Sequence, residues 1–160
     1  MNKIQVPLAS VRLAKTPDIL ACYGVGSCVV VTLYDPRLKL AAMAHVMLPG
    51  IGDEGEDCSG AKYSSQAIES MIEGLLQEGS SRGRWVAKMA GGAQMLRWVP
   101  CPRGRPPGRQ NVEAVRKKLT QERIPVVGQD VGRDFGRSVE FCTESGQMLI
   151  RTSSEGFWVI

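Results

Sequence analysis

The chain has 160 residues, with 20 lysines or arginines against 16 aspartates or glutamates and a formal net charge of +4. This length suits a single domain, residues 1–160, whose hydrophobic core needs neither disulfides nor a metal. Aromatic residues make up only 6% of the chain, and no run approaches the roughly 20 apolar residues of a membrane helix. Nucleic-acid binding and membrane insertion are therefore not expected.

The cysteines form an odd set without C-x-x-C spacing, and the chain has one histidine, His45. This pattern gives neither a disulfide framework nor a zinc site. The first 20 residues alternate apolar and polar side chains and lack the continuous apolar segment of a signal peptide. We therefore expect a cytoplasmic protein without metal or cofactor, in which one or two thiols are functional. The cysteines are Cys22, Cys28, Cys58, Cys101 and Cys142.

The N-terminal region predicts two strands followed by a glycine turn. Residues 4–13 alternate well enough for one strand, which Pro7 confines to the edge of a sheet. A second strand runs from Pro17 to Cys22 and enters the turn. A β-branched run follows this turn instead of a helix, so the glycines do not indicate a dinucleotide-binding loop. They allow backbone N–H groups to point at a bound atom.

Residues 28–34 and 40–48 are apolar runs on either side of Asp35-Pro36, a pattern typical of a β-hairpin. A loop centred between Pro36 and Arg37 pairs Cys28 directly with His45, with Cβ atoms roughly 4.5–5.5 Å apart on one face of the sheet. A register shifted by one residue would put the two side chains on opposite faces.

Burial alone is the usual explanation of a strand cysteine or a lone histidine. As a facing pair beside a Gly-x-Gly-Ser turn, Cys28 and His45 instead favour a catalytic site. Ser27 is the alternative nucleophile, but strand alternation turns it away from the face of Cys28, so we interpret it as structural.

The second half of the chain predicts two helices among short strands. An acidic, glycine-rich loop at 50–60 precedes an amphipathic helix at 62–77 that ends at Gly79. A strand at 84–89 leads to a basic loop at 98–110, and Asn111 is expected to cap a second helix that ends before Pro125. Four short strands complete the chain. Together these elements predict an α+β layered fold.

Several short motifs occur in order at spacings that identify a family. They are Gly24-Val25-Gly26-Ser27-Cys28-Val29, Asp35-Pro36, Met43-Ala44-His45-Val46-Met47-Leu48-Pro49, Lys62-Tyr63, Lys88 before Gly91-Gly92-Ala93 and Met95, Gly108 to Asn111, and Arg137-Ser138-Val139-Glu140-Phe141. In these motifs the chain resembles the CheD family of chemoreceptor glutamine deamidases along nearly its whole length.

The resemblance implies a layered α/β/β domain with mixed sheets and two main helices. It also implies that Cys28 is a nucleophile and His45 its base, and that the substrates are glutamines on the cytoplasmic helices of methyl-accepting chemotaxis receptors, which become glutamates. The family's third catalytic residue is a threonine at the position of Cys22. The family usually has an arginine before Asn111, whereas this chain has Gln110 there, with Arg109 one place earlier; we take Asn111 and Arg109 as substrate-binding candidates.

The hypothesis that follows is a thiolate–imidazolium pair of Cys28 and His45 that attacks the glutamine carboxamide. Backbone N–H groups around Gly26 and Ser27 would hold the oxyanion. One alternative is a non-catalytic protein that docks on receptors or stimulates a CheC-type CheY-phosphate phosphatase. Another is a cysteine hydrolase acting on a different amide.

Overall fold

The computed structural model describes residues 1–50, 62–96 and 105–160. The first sheet has the strand order β1-β3-β8-β9-β10, and the second has the order β2-β5-β4-β6-β7. The predicted acidic loop and most of the basic loop lie outside the described residues. The elements are β1 (Lys3–Gln5), β2 (Val11–Lys15), β3 (Ile19–Val25), β4 (Val29–Asp35), β5 (Leu40–Val46), α1 (Ser64–Gln77), β6 (Val86–Gly91), α2 (Pro107–Gln121), β7 (Val126–Val131), β8 (Arg137–Cys142), β9 (Met148–Arg151) and β10 (Phe157–Val159).

The second sheet lies between the two helices and the first sheet. Along β4, Val29, Val31 and Leu33 pack against α1 and α2, while Val30 and Tyr34 pack against the first sheet. Because β4 is covered on both faces, its sequence is a continuous apolar run instead of an alternating one. Both sheets contain parallel and antiparallel pairs. The predicted α+β layered fold with mixed sheets and two helices is confirmed.

The hairpin of β4 and β5 is confirmed, but its predicted register is wrong. Val30 pairs with His45 and Asp35 pairs with Leu40, so the loop is the four residues 36–39. The centre of the loop therefore lies one position later than expected, which changes the partner of each residue by two positions and keeps the same faces together. The Asp35 carboxylate accepts hydrogen bonds from the backbone N–H groups of Arg37 and Leu38, at 3.0 and 3.3 Å, which stabilises this longer turn.

Other boundaries also differ from the prediction. The stretch 4–13 forms β1 and β2, which lie at the edges of different sheets; Pro7 between them cannot donate to a ladder. Asn111 is not a helix cap, since α2 begins at Pro107, where proline suits the first helical position. The strand expected at 84–89 is observed two residues later, as β6, and β3 continues to Val25 through the first glycine of the expected turn. The helix α1 and the four C-terminal strands follow the prediction. Over the described ranges, no helix is long and apolar enough to cross a membrane.

A buried ion pair fixes the base of the hairpin. The Asp35 side chain is fully buried and accepts hydrogen bonds from Arg84 Nη2 at 2.7 Å and from Ser80 Oγ at 2.6 Å. Burial by itself would raise the pKa of Asp35, but the hydrogen bonds from Arg84 and Ser80 hold this pKa well below 3.8. The pair therefore stabilises the fold above that pH, and its contribution falls as Asp35 becomes protonated in acid.

We expect Asp35→Asn to lower the free energy of unfolding at pH 7 by about 1.5–3 kcal/mol, because an amide cannot replace the charge-assisted hydrogen bonds that the buried carboxylate accepts. The difference from wild type should narrow below about pH 3.9, where unfolded aspartate is itself protonated. Urea unfolding of both proteins at pH 7 and pH 3 measures this. An equal difference at the two pH values would show that the charge of Asp35 is not the source of its contribution.

Candidate active site

Cys28 lies in the three-residue turn through which the chain passes from β3 in the first sheet to β4 in the second. The turn is held by the segment after β6: the backbone N–H of Ala93 donates to Gly26 O at 3.0 Å, and that of Gly92 to Cys28 O at 2.8 Å. Gly91 permits this close approach, since a Cβ there would lie 2.4 Å from Cys28 O. The backbone around the thiol is therefore fixed, and Cys28 itself is half-buried.

His45 lies near the end of β5 and faces the space between the two sheets, as Met43 does. Since His45 pairs with Val30, Cys28 is not its direct partner; it lies in the turn, one residue before the ladder begins at Val29. The strand alternation of β4, if continued to Cys28, would place it diagonally to His45 on one face, with Cα atoms roughly 7–8 Å apart. The structure thus brings the two residues to the same end of the β4–β5 hairpin. His45 Nε2 is buried without a hydrogen-bond partner, so the Cys28 thiol is not bonded to it.

Burial shifts the pKa values of both Cys28 and His45. Burial raises the pKa of the Cys28 thiol. Burial also lowers the pKa of His45, and a hydrogen bond to the carbonyl of Val6 opposes this only in part. Both shifts favour the neutral forms, a thiol and an uncharged imidazole.

Cys22 and His45 both contact the backbone carbonyl of Val6. Its thiol is fully buried, 3.6 Å from the carbonyl oxygen of Val6 and 3.5 Å from Met43 Sδ. Burial raises the pKa of Cys22 to about 12, so its thiol stays protonated. Cys22 and the imidazole of His45 therefore meet at the same carbonyl, that of Val6, and are not bonded to each other. Sequence analysis did not identify Val6, because a backbone acceptor has no signature in the sequence.

The two candidates on α2 have different surroundings. Asn111 is 1% exposed, and its Nδ2 donates to the carbonyls of Ser27 at 2.9 Å and Met47 at 3.2 Å. Asn111 Oδ1 is buried without a hydrogen-bond partner. Arg109 is an exposed residue two positions earlier that pairs with Glu113 at 3.0 Å. The structure therefore brings Asn111 to the Cys28 turn and leaves Arg109 at the surface.

A cleft of about 190 Å³ opens beside the turn, and its walls are largely apolar. In the described part of the chain, the backbone N–H groups of Ser27 and Cys28 donate to no other residue. A larger groove of about 830 Å³ between the end of α2 and β7 contains no cysteine or histidine. The smaller cleft is the one that adjoins the candidate chemistry. It is lined by Ser27, Ala93, Gln94, Met95, Leu96, Pro106 and Pro107.

A cysteine and a histidine at one end of a hairpin, beside a glycine-rich corner, are groups that cysteine-dependent amide hydrolases use. Residues 47–152 match the family model described as CheD chemotactic sensory transduction. Related proteins match over almost the entire chain, so their similarity also covers the Cys28 turn and His45. The chain belongs to the CheD family.

Three relatives illustrate the similarity. "Chemoreceptor glutamine deamidase CheD" of Bacillus licheniformis is 38% identical, over 98% of this chain and 94% of its own length. "Probable chemoreceptor glutamine deamidase CheD" of Archaeoglobus fulgidus is 42% identical, over 99% of each chain. The protein of that name from Symbiobacterium thermophilum is 39% identical, over 94% of this chain and 93% of its own.

A solved structure shares the fold at low sequence identity. The crystal structure of the Bacillus licheniformis hypothetical protein YfiH aligns with a TM-score of 0.50 and 18% identity, over 78% of this chain and 50% of that one. This similarity extends to the arrangement of strands and helices only.

Proposed function

We propose that this protein is a cytoplasmic enzyme that deamidates glutamine side chains of methyl-accepting chemotaxis receptors, with Cys28 as nucleophile and His45 as base. The observation that supports the proposal is that Cys28, just before β4, and His45, near the end of β5, lie at the same end of one antiparallel hairpin. The names of the relatives supply the substrate class, chemoreceptor glutamine.

The first half of the reaction forms a thioester. Because the Cys28 thiol is neutral, His45 Nε2 accepts its proton as sulfur attacks the carboxamide carbon of glutamine. This requires the thiol to move into hydrogen-bonding reach of Nε2; such bonds are often long before substrate binds. The protonated His45 then donates its proton to the departing nitrogen, so the C–N bond breaks and ammonia leaves. Cys28 now carries a glutamyl thioester.

Water completes the reaction. His45, uncharged again, accepts a proton from a water molecule as its oxygen attacks the thioester carbon. The C–S bond breaks, the proton returns to the Cys28 sulfur, and the receptor residue is now glutamate. Both tetrahedral intermediates place a negative oxygen near the turn. We assign its stabilisation to the free backbone N–H groups at Ser27 and Cys28, with Gly26 allowing close approach; one such donor is worth about 2.7–4 kcal/mol.

Substrate contacts are proposed for the two candidates on α2. Asn111 Oδ1 is buried without a partner in the described residues, so it could accept a hydrogen bond from the N–H₂ group of the glutamine carboxamide only if substrate binding opens the site around it. Arg109 lines a second cleft together with Gln94 and Pro106, two residues that also line the cleft beside Cys28. Its exposed guanidinium is suited to an acidic side chain on the receptor surface.

Peptide mass spectrometry of a receptor cytoplasmic fragment tests the proposed function. After incubation with the wild-type protein, we expect particular glutamines to appear as glutamates, with one ammonia released for each. Cys28→Ala provides the negative control. A fragment that remains unconverted while it binds the protein would contradict the deamidase function. It would favour the alternative, a non-catalytic protein that docks on receptors.

The presence of Cys22, where the family has threonine, is the reason to keep the non-catalytic docking protein as a second candidate function. A thiol is a weak hydrogen-bond donor, and here it contacts the Val6 carbonyl instead of the imidazole. We expect Cys22→Thr to equal or exceed wild-type turnover, because a hydroxyl is a stronger hydrogen-bonding group at this position. Steady-state kinetics with a glutamine-containing receptor peptide measures this. A sharp loss in Cys22→Thr would instead indicate that the thiol has a role of its own.

A further inference from the structure

The strand pairing that holds the hairpin ends before it reaches Cys28. The ladder between β4 and β5 closes with the pair Val29 and Val46, so Cys28 and Met47 lie beyond it. The two chain segments separate there: Cys28 O accepts from Gly92 N, while Met47 N donates to Lys62 O at 3.2 Å. Backbone pairing alone therefore does not fix the distance between the Cys28 turn and the end of the strand that carries His45.

Asn111 spans this opening. Its Nδ2 has two protons, and the two acceptors are Ser27 O, one residue before Cys28, and Met47 O, two residues after His45. The side chain is buried, so water does not readily replace either bond. One amide group thus connects the turn of the proposed nucleophile with the strand of the proposed base.

Packing of α2 makes this connection rigid. A Cβ at Gly108 would lie 2.5 Å from the carbonyl oxygens of Gly92 and Ala93, so the first turn of the helix rests directly on the segment that holds the Cys28 turn. Val112, next to Asn111, is buried in the core between α2 and the second sheet. The helix backbone therefore cannot move away from the turn without opening the core.

We propose that Asn111 is a positioning residue, whose Nδ2 holds the Cys28 turn and the end of the His45 strand at the separation that deamidation requires. The inference rests on the proposed function for its chemistry. It is separate from the substrate contact proposed for Oδ1, because only Nδ2 bonds Ser27 and Met47 in the structure. The variant Asn111→Asp distinguishes the two roles, since aspartate keeps an acceptor oxygen and loses both N–H donors.

The kinetic arm uses Asn111→Asp. We expect kcat to fall by on the order of 10²-fold, the usual effect of a misplaced catalytic group, while KM changes far less. The control is Thr143→Val, which also removes a buried hydrogen bond, from Thr143 Oγ1 to Asp18 O at 2.6 Å. Thr143 lies beyond the opposite end of the β3–β8 pair from the Cys28 turn, so its loss should affect stability and leave kcat unchanged.

The second arm does not depend on activity. His45 is the only histidine, so an NMR titration of histidine-labelled protein follows one imidazole. Burial lowers the pKa of His45, and no charged side chain contributes to this shift; the nearby Cys22 thiol is neutral. In Asn111→Ala the end of β5 should loosen and admit water, so the pKa of His45 should rise towards 6.5. Thr143→Val should leave it as in wild type.

A shifted His45 pKa in Asn111→Ala supports the inference, even if the wild-type protein proves inactive on receptors and the proposed function fails. An unchanged pKa of His45 in Asn111→Ala overturns the inference. This holds also if Asn111→Asp is slow, because the slow turnover would then reflect the substrate contact at Oδ1. Equal losses of stability in the Asn111 and Thr143 variants, with His45 and kcat unaffected, would show a purely structural role and overturn it as well.

Discussion

Replacement of Cys28 with alanine is expected to reduce deamidation by on the order of 10⁴-fold or more, because the sulfur that forms the thioester is then missing. Ser27, the alternative nucleophile, has its backbone carbonyl bonded to Asn111, and its hydroxyl has no activating partner among the described residues. Ammonia release and glutamate formation from a receptor peptide measure the effect. Residual turnover close to wild type in Cys28→Ala would overturn the assignment of the nucleophile.

Cys142 offers a matched control within the same chain. It is also partly buried, but hydrogen bonds from Ser145 lower the pKa of its thiol, whereas burial raises that of Cys28. Simple thiol acidity would therefore make Cys142 the more reactive of the two. Cys142→Ala should keep full activity, and alkylation experiments need peptide mapping so that labelling of Cys142 is not taken for labelling of Cys28.

Replacement of His45 with alanine is expected to lower kcat/KM by about 10²–10⁴-fold, the usual contribution of a general base. The loss should exceed that expected for a thiolate mechanism, because the buried Cys28 thiol remains protonated without a base. Since His45 is the only histidine, no second imidazole can substitute. The same peptide assay measures the effect, and a His45→Ala variant within a few-fold of wild type would contradict the assigned role.

The pH dependence of kcat/KM follows from the two pKa shifts. The active state holds one proton between the pair, so activity falls in acid as His45 becomes protonated, below 6.5 because burial lowers its pKa. Activity falls in base as the Cys28 thiol ionises, above 9.0 because burial raises its pKa. We expect a broad plateau between these limits. A profile that declines between pH 7 and 8 would contradict a neutral resting pair.

The sequence predicted the hairpin correctly because its signals are local. Two apolar runs around Asp35-Pro36 leave little choice of structure, and the Asp35 carboxylate does bond the turn backbone. The length of the loop is less constrained, and the structure pairs each residue of β4 with one two positions later than predicted. A shift of two positions preserves the alternation of faces, so the expectation that Cys28 and His45 share a side does not depend on direct pairing.

The remaining parts of the site depend on contacts that sequence patterns do not encode. The role of Val6 comes from its carbonyl, which any residue could supply. Asparagine is a residue type common at the start of helices, and the prolines and arginines before Asn111 favour a loop. Only the packing of α2 on the segment after β6 shows that the helix begins four residues earlier and that the amide points inward to Ser27 and Met47.

The central claim is that Cys28 converts receptor glutamine to glutamate through a thioester that water resolves. Its most direct test is peptide mass spectrometry of a receptor fragment after incubation in water enriched in oxygen-18, with wild-type protein and Cys28→Ala in parallel. We predict that wild type yields glutamates, each carrying a single labelled oxygen, and that Cys28→Ala yields none. Conversion by Cys28→Ala at the wild-type rate would contradict the account.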